Sequence, residues 1–295
     1  MRTIFSVMII LAVVFGMSTN LVAQDTKVEV YEKIHIPDKK PIPYPHTREA
    51  DVMWAKVIWR MVDLREKMNL PLYYPLEPIG ERMSLIHLIF YGIDNEGLIV
   101  YDPDVDVDEF KVPMAKDKID RKMGVVSKKT QVQDTLGNMV EKDVMGTRKY
   151  DEIKKILVKE KWFFDRNYST MQVRILGICP IRLAPREIKT GDNAPAVDEN
   201  EETAEMVPTK ICWIYYPEAR NLFASHPVYN RHNDAQQTSF DDLFMQRRFS
   251  SYIYAESNVY ENRLVGDYTT GFQTLLESER IKESIMNIEH DLWEY

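Results

Sequence analysis

The most regular pattern of hydrophobic and polar positions lies in residues 51–75. At 3.6 residues per turn, the apolar side chains of this segment form two stripes, Trp54, Val57, Met61, Leu64 and Met68 in one and Val52, Ala55, Trp59 and Val62 in the other. The pattern predicts an α-helix with two apolar faces that runs into the aromatic turn Pro71 to Pro75. Such a helix either lies enclosed in its own domain or meets another subunit with part of its surface.

The other segments mix helical and strand periodicities, which predicts an α+β fold with mixed helices and short antiparallel strands. The predicted helices cover residues 85–91 after the N-cap Ser84, 114–123 before Gly124, 149–159, 218–225, 240–248 after the N-cap Ser239, and 271–293. The predicted strands cover residues 98–101, a pair around Gly137-Asn138, a hairpin of 162–165 with 171–181, and 211–216. The last helix is long and amphipathic, with one stripe of Ile281, Ile285, Ile288 and Leu292.

The N-terminus predicts export. Arg2 precedes the apolar run 4–15, which is too short for a stable membrane anchor, and a plausible cleavage site follows before Gln24. We therefore expect residues 1–23 to be a signal peptide, and the lack of a cysteine after the apolar run argues against a lipid anchor. The mature chain is expected to be soluble, without direct membrane insertion.

Three further regions follow from composition. Residues 24–46 are rich in proline and predict an extended arm, with the first helix beginning at Thr47. Residues 47–295 form the α+β region. Within it, residues 186–208 are crowded with acids and poor in core-forming side chains, so they predict a disordered acidic loop.

Charge limits the class of partner. The formal net charge is −8 at pH 7, so the chain has no electrostatic footprint for nucleic acid and would be repelled by an anionic membrane surface. The hydrophobic fraction of 44% and the charged fraction of 28% are ordinary for a globular protein. We therefore expect most of the chain to fold.

The two cysteines, Cys179 and Cys212, lie in two strand-like runs. In an oxidising compartment they could form a disulfide bond, whereas two buried free thiols are the alternative. Neither cysteine has a nearby histidine in the sequence, so the pair does not predict a zinc site.

The search for catalytic or metal-binding chemistry finds only weak candidates. The acidic alternation from Asp102 to Asp108 lacks the glycine and glutamate of a calcium-binding loop, because Val107 and Pro113 occupy those positions, and it predicts an exposed strand instead. His226, His232 and Asp234 are a weak metal candidate in what is more simply a structural loop. The chain contains no G-x-S-x-G, Walker-type, HExxH or G-x-G-x-x-G motif. The sequence therefore predicts no catalytic residue, metal site or cofactor.

Large aromatic and arginine side chains supply the structural and interface candidates. We expect the core to include Trp54, Trp59, Met61, Trp162 and Trp213. The candidate interface residues are Tyr73, Tyr74, Arg247 and Arg248, because aromatic and arginine anchors dominate interface energies. For the two arginines, a solvated helix end is the alternative.

Four collinear blocks resemble the gliding-motility GldN family, which is called PorN in non-gliding relatives. They are DVMWAKVIWRMVDLREKMNLPLYYP (51–75), WFFDRNYSTMQVRILGICPI (162–181), CWIYYPEAR (212–220) and SFDDLFMQRRFSSYIYAESNVYENR (239–263). The resemblance covers most of residues 48–265. It is weaker in the N-terminal arm, in residues 102–150, in the acidic loop and in the last helix.

This resemblance implies a non-enzymatic structural subunit of the type IX protein secretion system of Bacteroidota, which also supports gliding motility in gliding hosts. The implied partners are an outer-membrane lipoprotein (GldK/PorK), a motor subunit (GldM/PorM) and further copies in a homo-oligomeric ring complex. The implied location is the periplasm, at the inner face of the outer membrane. A periplasmic peptide-binding or chaperone module for exported cargo is the alternative, and an exported hydrolase is a third.

Overall fold

The computed structural model describes residues 35–80, 82–104, 109–125, 127–133, 139–185, 206–230, 233 and 235–292. Residues 1–34 and 35–295 separate into two compact units, and the described residues belong to the second. The predicted signal peptide and the first part of the arm therefore lie outside the described residues, as does the predicted acidic loop over residues 186–205.

The described residues confirm an α+β fold. The helices are α1 (Leu70–Tyr73), α2 (Leu85–Tyr91), α3 (Lys116–Lys122), α4 (Tyr216–Ser225), α5 (Phe240–Met245), α6 (Val265–Tyr268) and α7 (Phe272–Asp291). The strands are β1 (Val52–Asp63), β2 (Val100–Tyr101), β3 (Ser127–Gln133), β4 (Met139–Met145), β5 (Ile153–Asp165), β6 (Thr170–Pro185), β7 (Met206–Lys210), β8 (Trp213–Tyr215), β9 (Pro227–Val228), β10 (Thr238–Ser239) and β11 (Tyr252–Glu256). Short 3₁₀ turns cover Glu49–Asp51 and Tyr150–Glu152, and a π-helical turn covers Gly92–Glu96.

Seven of the described strands form one central sheet in the order β11-β1-β5-β6-β8-β2, with β7 also paired to β6. Every pair in this sheet is antiparallel. The β5–β6 hairpin is its longest element, and β1 lies beside it in register from Val52 opposite Asp165 to Asp63 opposite Lys155. The smaller pairs β3–β4 and β9–β10 lie outside the central sheet.

The two faces of the central sheet differ in what covers them. Alternate residues of a strand point to opposite faces, and in β1 Ile58 and Val62 point to one side while Trp59 and Met61 point to the other. The side of Ile58 and Val62 contains two buried clusters to which the helices contribute, the larger around α2, α4 and α5 and the smaller around α7. The opposite side has a third cluster, which we call the strand-only cluster because its described members are strand residues, with the single exception of Phe110. The fold is thus a helical layer on one face of an antiparallel sheet.

The predicted helix over residues 51–75 is wrong over most of its length, because residues 52–63 form β1 and only α1 is helical. The two apolar stripes that suggested a two-faced helix are the two faces of a strand buried on both sides. The β-branched residues Val57, Ile58 and Val62 favour this outcome, since their side chains fit a pleated sheet better than a helix.

Three other predictions need correction. Residues 149–159 were predicted as a helix, but after a 3₁₀ turn they enter β5, whose β-branched Ile153, Ile156 and Val158 are buried. Asp102 is not an outward acid on an exposed strand but is 9% exposed and paired with Lys118; residues 105–108 of that prediction lie outside the described part. Residues 206–208 belong to β7 and not to a disordered loop.

Thr47 also does not begin a helix. The arm remains extended to the 3₁₀ turn at Glu49–Asp51 and then passes directly into β1.

Several local predictions are confirmed. Ser84 caps α2 by accepting a hydrogen bond from the His87 N–H, and Ser239 forms a reciprocal capping box with Asp242 at the start of α5. The hairpin around 162–181 and the strand pair around 137–138 form, and Ile281 and Ile285 of α7 are buried. None of the described helices is both long and apolar enough to cross a membrane.

Candidate interaction surfaces

The predicted interface residues of the first block lie at the end of α1. Tyr73 packs against the largest core cluster, whereas Tyr74 is 49% exposed, and their ring centroids are 5.0 Å apart in an edge-to-face arrangement. The segment is held against the loop after α5 by Asn69, which donates to the Ser250 carbonyl and accepts from the Ser250 N–H. These two hydrogen bonds connect the residue before α1 to the loop that carries Arg247 and Arg248, and the assignment of the four residues to one interface stays a prediction.

The two arginines of that loop have different environments. Arg247 adopts a left-handed backbone conformation (φ 54°) and its Nη2 donates to Glu160 Oε2 at 3.0 Å. Its Nη1 lies 3.0 Å from the other carboxylate oxygen as a charge contact, and its guanidinium lies 5.2 Å from the Trp162 ring centroid. Since Glu160 is fully buried, Arg247 neutralises an internal carboxylate. Arg248 is exposed.

The predicted core residues divide into two groups. Met61 and Trp213 are 5% and 2% exposed and belong to the strand-only cluster. Trp54, Trp59 and Trp162 are half-buried at the margins of their clusters. Trp59 and Trp162 each satisfy the indole N–H with a carboxylate, Glu109 at 3.0 Å and Glu160 at 2.9 Å respectively.

Cys179 and Cys212 are both free, fully buried thiols. They belong to different clusters, Cys179 to the strand-only cluster and Cys212 to the largest cluster on the helical side of the sheet. Burial raises the pKa of Cys212 to about 12, and burial together with the charge of Cys212 raises the pKa of Cys179. Such thiols are poor nucleophiles, and the alternative of two buried thiols is the arrangement observed.

A buried ion pair anchors the N-terminal arm. Arg220 of α4 and Asp241 of α5 are 5% and 4% exposed, and the guanidinium donates to both carboxylate oxygens at 3.0 Å. The Tyr216 hydroxyl donates to the same carboxylate at 2.8 Å. Arg220 also binds the arm, because its Nη2 donates a further hydrogen bond to the Ile42 carbonyl at 2.7 Å.

A second arginine holds the arm at the other side of Tyr44. Arg174 of β6 donates to the Pro45 carbonyl at 2.6 Å and to Thr47 Oγ1 at 2.9 Å. The Tyr44 ring contacts both guanidiniums, because its centroid lies 4.4 Å from the guanidinium of Arg220 and 5.1 Å from that of Arg174. We refer to Arg174, Arg220 and Tyr44 as the arm clamp. Burial raises the pKa of Tyr44, whose hydroxyl is enclosed without a hydrogen-bond partner in the described residues.

Two more contacts extend the docking of the arm. Ile36 is 1% exposed, and Lys39 forms an ion pair with Asp242, the capping-box residue of α5. Burial alone would raise the pKa of Asp242, but the hydrogen bonds from Lys39 and Ser239 outweigh burial and lower it. The described part of the arm is therefore a bound element of the domain.

The strand-only cluster forms what we call the aromatic face of the sheet. Its half-buried aromatic members are Trp59, Tyr101, Phe110, Tyr252 and Tyr254. Phe110 makes edge-to-face contacts with Tyr101, Trp213 and Tyr215 and lies directly over the β6 backbone, where a Cβ on Gly177 would come within 2.5 Å of its ring. Lys159 on the same face is ion-paired with Glu109.

The described residues contain no group of three or more His, Cys, Asp or Glu side chains that could hold a metal ion. His226 hydrogen-bonds the Leu222 carbonyl through Nδ1, as expected of a structural histidine, while His232 and Asp234 lie outside the described part. Lys118 lowers the pKa of Asp102 by hydrogen bonding, with smaller contributions from the Asp104 N–H and Lys122.

Sequence reasoning missed the arm clamp and the aromatic face. The signal for the aromatic face was present in residues 57–62, where Val57, Trp59 and Met61 occupy alternate positions and therefore share one face of a strand. The arm clamp had no comparable signal. Its three residues are far apart in the sequence, and a pair such as Arg220 and Asp241 leaves no periodic trace.

The fold and these surfaces describe an α+β domain with a docked N-terminal arm, a helical layer and a half-buried aromatic sheet face. A family model described as gliding motility associated protein GldN matches residues 47–294. The chain therefore belongs to the GldN family of gliding motility associated proteins. A comparison with curated proteins finds no match.

Proposed function

We propose that the chain is a non-enzymatic structural subunit of the periplasmic ring of the type IX protein secretion system. In this role it is held at the outer membrane by a GldK/PorK-like lipoprotein and contacts a GldM/PorM-like motor subunit. The observation that carries the proposal is the family match, which spans almost all of the second structural unit. Buried, high-pKa thiols and carboxylates held in ion pairs agree with a role in contacts rather than in chemistry.

The location follows from the same proposal. In this proposal the chain is a processed periplasmic protein that depends on its lipoprotein partner for membrane association, and the signal peptide predicted over residues 1–23 supports it. Fractionation of cells with and without the lipoprotein tests this. Membrane association that persists after loss of every partner would contradict it.

The partnership has its own test. The processed chain, tagged at its C-terminus, should retain the lipoprotein in a pull-down from detergent-solubilised envelopes, and deletion of its gene should abolish secretion. Secretion that continues normally in the deletion strain would reject the proposed function, whatever the chain binds.

A further inference from the structure

The aromatic face does not have the composition of a solvated sheet face. Antiparallel sheets that face water on one side normally place polar residues at the outward positions. Here the outward positions of β1 and β11 carry Trp59, Tyr252 and Tyr254, which are only half-buried. Among the described residues, the loop bearing Glu109 and Phe110 covers one end of this face, and no described helix contributes to its cluster.

Helix α7 has an apolar surface that is directed away from the domain. Its inner side packs on the helical side of the sheet through Ile281 and Ile285. Between Phe272 and Met286, an arc of roughly 100° on the other side contains six residues that we call the outward stripe, Phe272, Leu275, Leu276, Glu279, Glu283 and Met286. The four apolar members are 71%, 47%, 54% and 61% exposed, where a one-sided surface helix would be polar.

The two surfaces have complementary charge. Strand β5 places Lys155, Leu157, Lys159 and Lys161 on the aromatic face, so three of these four positions are basic, and Lys161 is exposed. The acids on that face, Asp63 and Glu109, are already paired with Arg65 and Lys159. Helix α7 has five acidic and two basic side chains, and the two charged members of its outward stripe, Glu279 and Glu283, are both acidic.

Only part of the aromatic face is open to contact. Its members Met61, Leu157, Cys179, Ile181 and Trp213 are at most 5% exposed, so the accessible part is formed by the half-buried Trp59, Tyr252 and Tyr254 on β1 and β11, with Lys161 of β5 beside them. The three neighbouring strands β11, β1 and β5 span roughly 10 Å at about 4.8 Å per strand. From Phe272 to Met286 the outward stripe runs 14 residues, or roughly 21 Å at about 1.5 Å per residue, which is long enough to cross all three.

We propose that the outward stripe of α7 in one copy of the chain packs on the aromatic face of a second copy. The two surfaces lie on opposite sides of the same sheet, so they cannot meet within one chain. The contact is head-to-tail and leaves one surface of each kind free at the ends, so it continues from copy to copy. It rests on the proposed ring role, since a ring needs such a joint, but its test measures self-association alone.

The first test compares two aspartate substitutions on α7. Leu276→Asp lies in the outward stripe, whereas Ser284→Asp adds the same charge at an exposed position outside it. Sedimentation of the processed chain should show concentration-dependent association that weakens with added salt. Leu276→Asp should lower the association constant at least about thirtyfold, as for an interface anchor, while Ser284→Asp should retain it.

The second test distinguishes this head-to-tail contact from a symmetric one. Tyr254→Ser removes an anchor from the aromatic face, and Lys161→Glu reverses an exposed charge there without touching the core. Each should associate poorly alone. A mixture of Leu276→Asp with Tyr254→Ser should form one-to-one dimers that do not grow, because each partner keeps the surface that the other lacks.

Three outcomes would overturn the proposal. They are a wild-type chain that stays monomeric at every concentration, association that Leu276→Asp leaves unchanged, and mixed variants that do not pair although circular dichroism shows both to be folded. If aromatic-face variants instead lost the lipoprotein while wild-type chain stayed monomeric, the face would belong to that partner. In that case the proposed ring role would stand and this inference would fail.

Discussion

Replacing Arg220 with alanine should be among the most damaging single changes to the second structural unit. The substitution leaves the Asp241 carboxylate buried with the Tyr216 hydroxyl as its remaining donor, and it removes the hydrogen bond to Ile42. Breaking a buried ion pair by deleting one partner costs roughly 3–5 kcal/mol. That is a large share of the roughly 5–15 kcal/mol by which domains are stable.

Urea unfolding followed by circular dichroism measures this loss, and limited proteolysis over residues 38–47 measures release of the arm. Arg174→Ala is the matched comparison, since it removes an arginine of the arm clamp without orphaning a buried charge and should cost only about 1 kcal/mol. Lys40→Ala, on an exposed part of the arm, should change neither measurement. A free energy of unfolding for Arg220→Ala within about 1 kcal/mol of wild type would refute the reasoning.

The pair can also be replaced as a unit. Arg220→Met combined with Asp241→Leu removes both charges, so most of the stability should return, because apolar residues of similar size often replace a buried pair without loss. The arm should still be more sensitive to protease, since the bond to Ile42 is gone.

Three further predictions concern protons, thiols and assembly. Burial lowers the pKa of His87 from its usual 6.5, so the folded state favours the neutral ring. The stabilising contribution of His87 should therefore be lost as the pH falls from about 6.5 through the lower pKa of the folded state. Urea midpoints measured across this pH range should fall less in His87→Gln than in wild type. Denatured, unreduced protein should show two reactive thiols per chain, because Cys179 and Cys212 lie in different clusters of the sheet. Alanine at Tyr74 or Arg248 should leave a folded chain that binds the lipoprotein less well in a pull-down, because both side chains are exposed.

Each has a contrary result. If the urea midpoint falls equally with acid in wild type and in His87→Gln, His87 does not contribute to the pH dependence of stability. Protein without reactive thiols would establish the disulfide alternative. Arg247→Ala serves as the control for assembly, since it removes the ion-pair partner of the buried Glu160 carboxylate and should lower the unfolding midpoint itself. Normal lipoprotein binding by the Tyr74 and Arg248 variants would reject that surface.

Local signals in the sequence predicted the elements whose stabilising contacts are themselves local. The caps at Ser84 and Ser239 bind N–H groups three residues away, and the β5–β6 hairpin joins adjacent segments. Helix α7 is amphipathic enough to be recognised by period alone. In all these cases the interaction that stabilises the element joins residues close together in the sequence, so a local sequence pattern can reveal it.

Elements fixed by distant partners were mispredicted. The pattern of β1 is compatible with a two-faced helix, and only pairing with β5 and β11 decides between the two structures. The same holds for residues 153–159, whose lysines lie between buried β-branched residues. The sequence also could not predict that Arg247, and not Arg248, binds a buried carboxylate. The partner, Glu160, lies 87 residues from Arg247 in the sequence, so no local pattern connects the two residues.

The position of β1 in the sheet has a consequence for how the chain reaches this fold. β1 is the first strand of the second unit to be synthesised, yet its two neighbours begin only at Ile153 and Tyr252. Closing such long loops is entropically costly and slows folding, whereas the β5–β6 hairpin needs only local contacts. We expect that hairpin to form first, and pulse-labelling hydrogen exchange should show its amides protected before those of β1. Until the hairpin forms, β1 is a twelve-residue strand with two apolar faces and two unpaired edges, the kind of segment that aggregates unless it is shielded during synthesis.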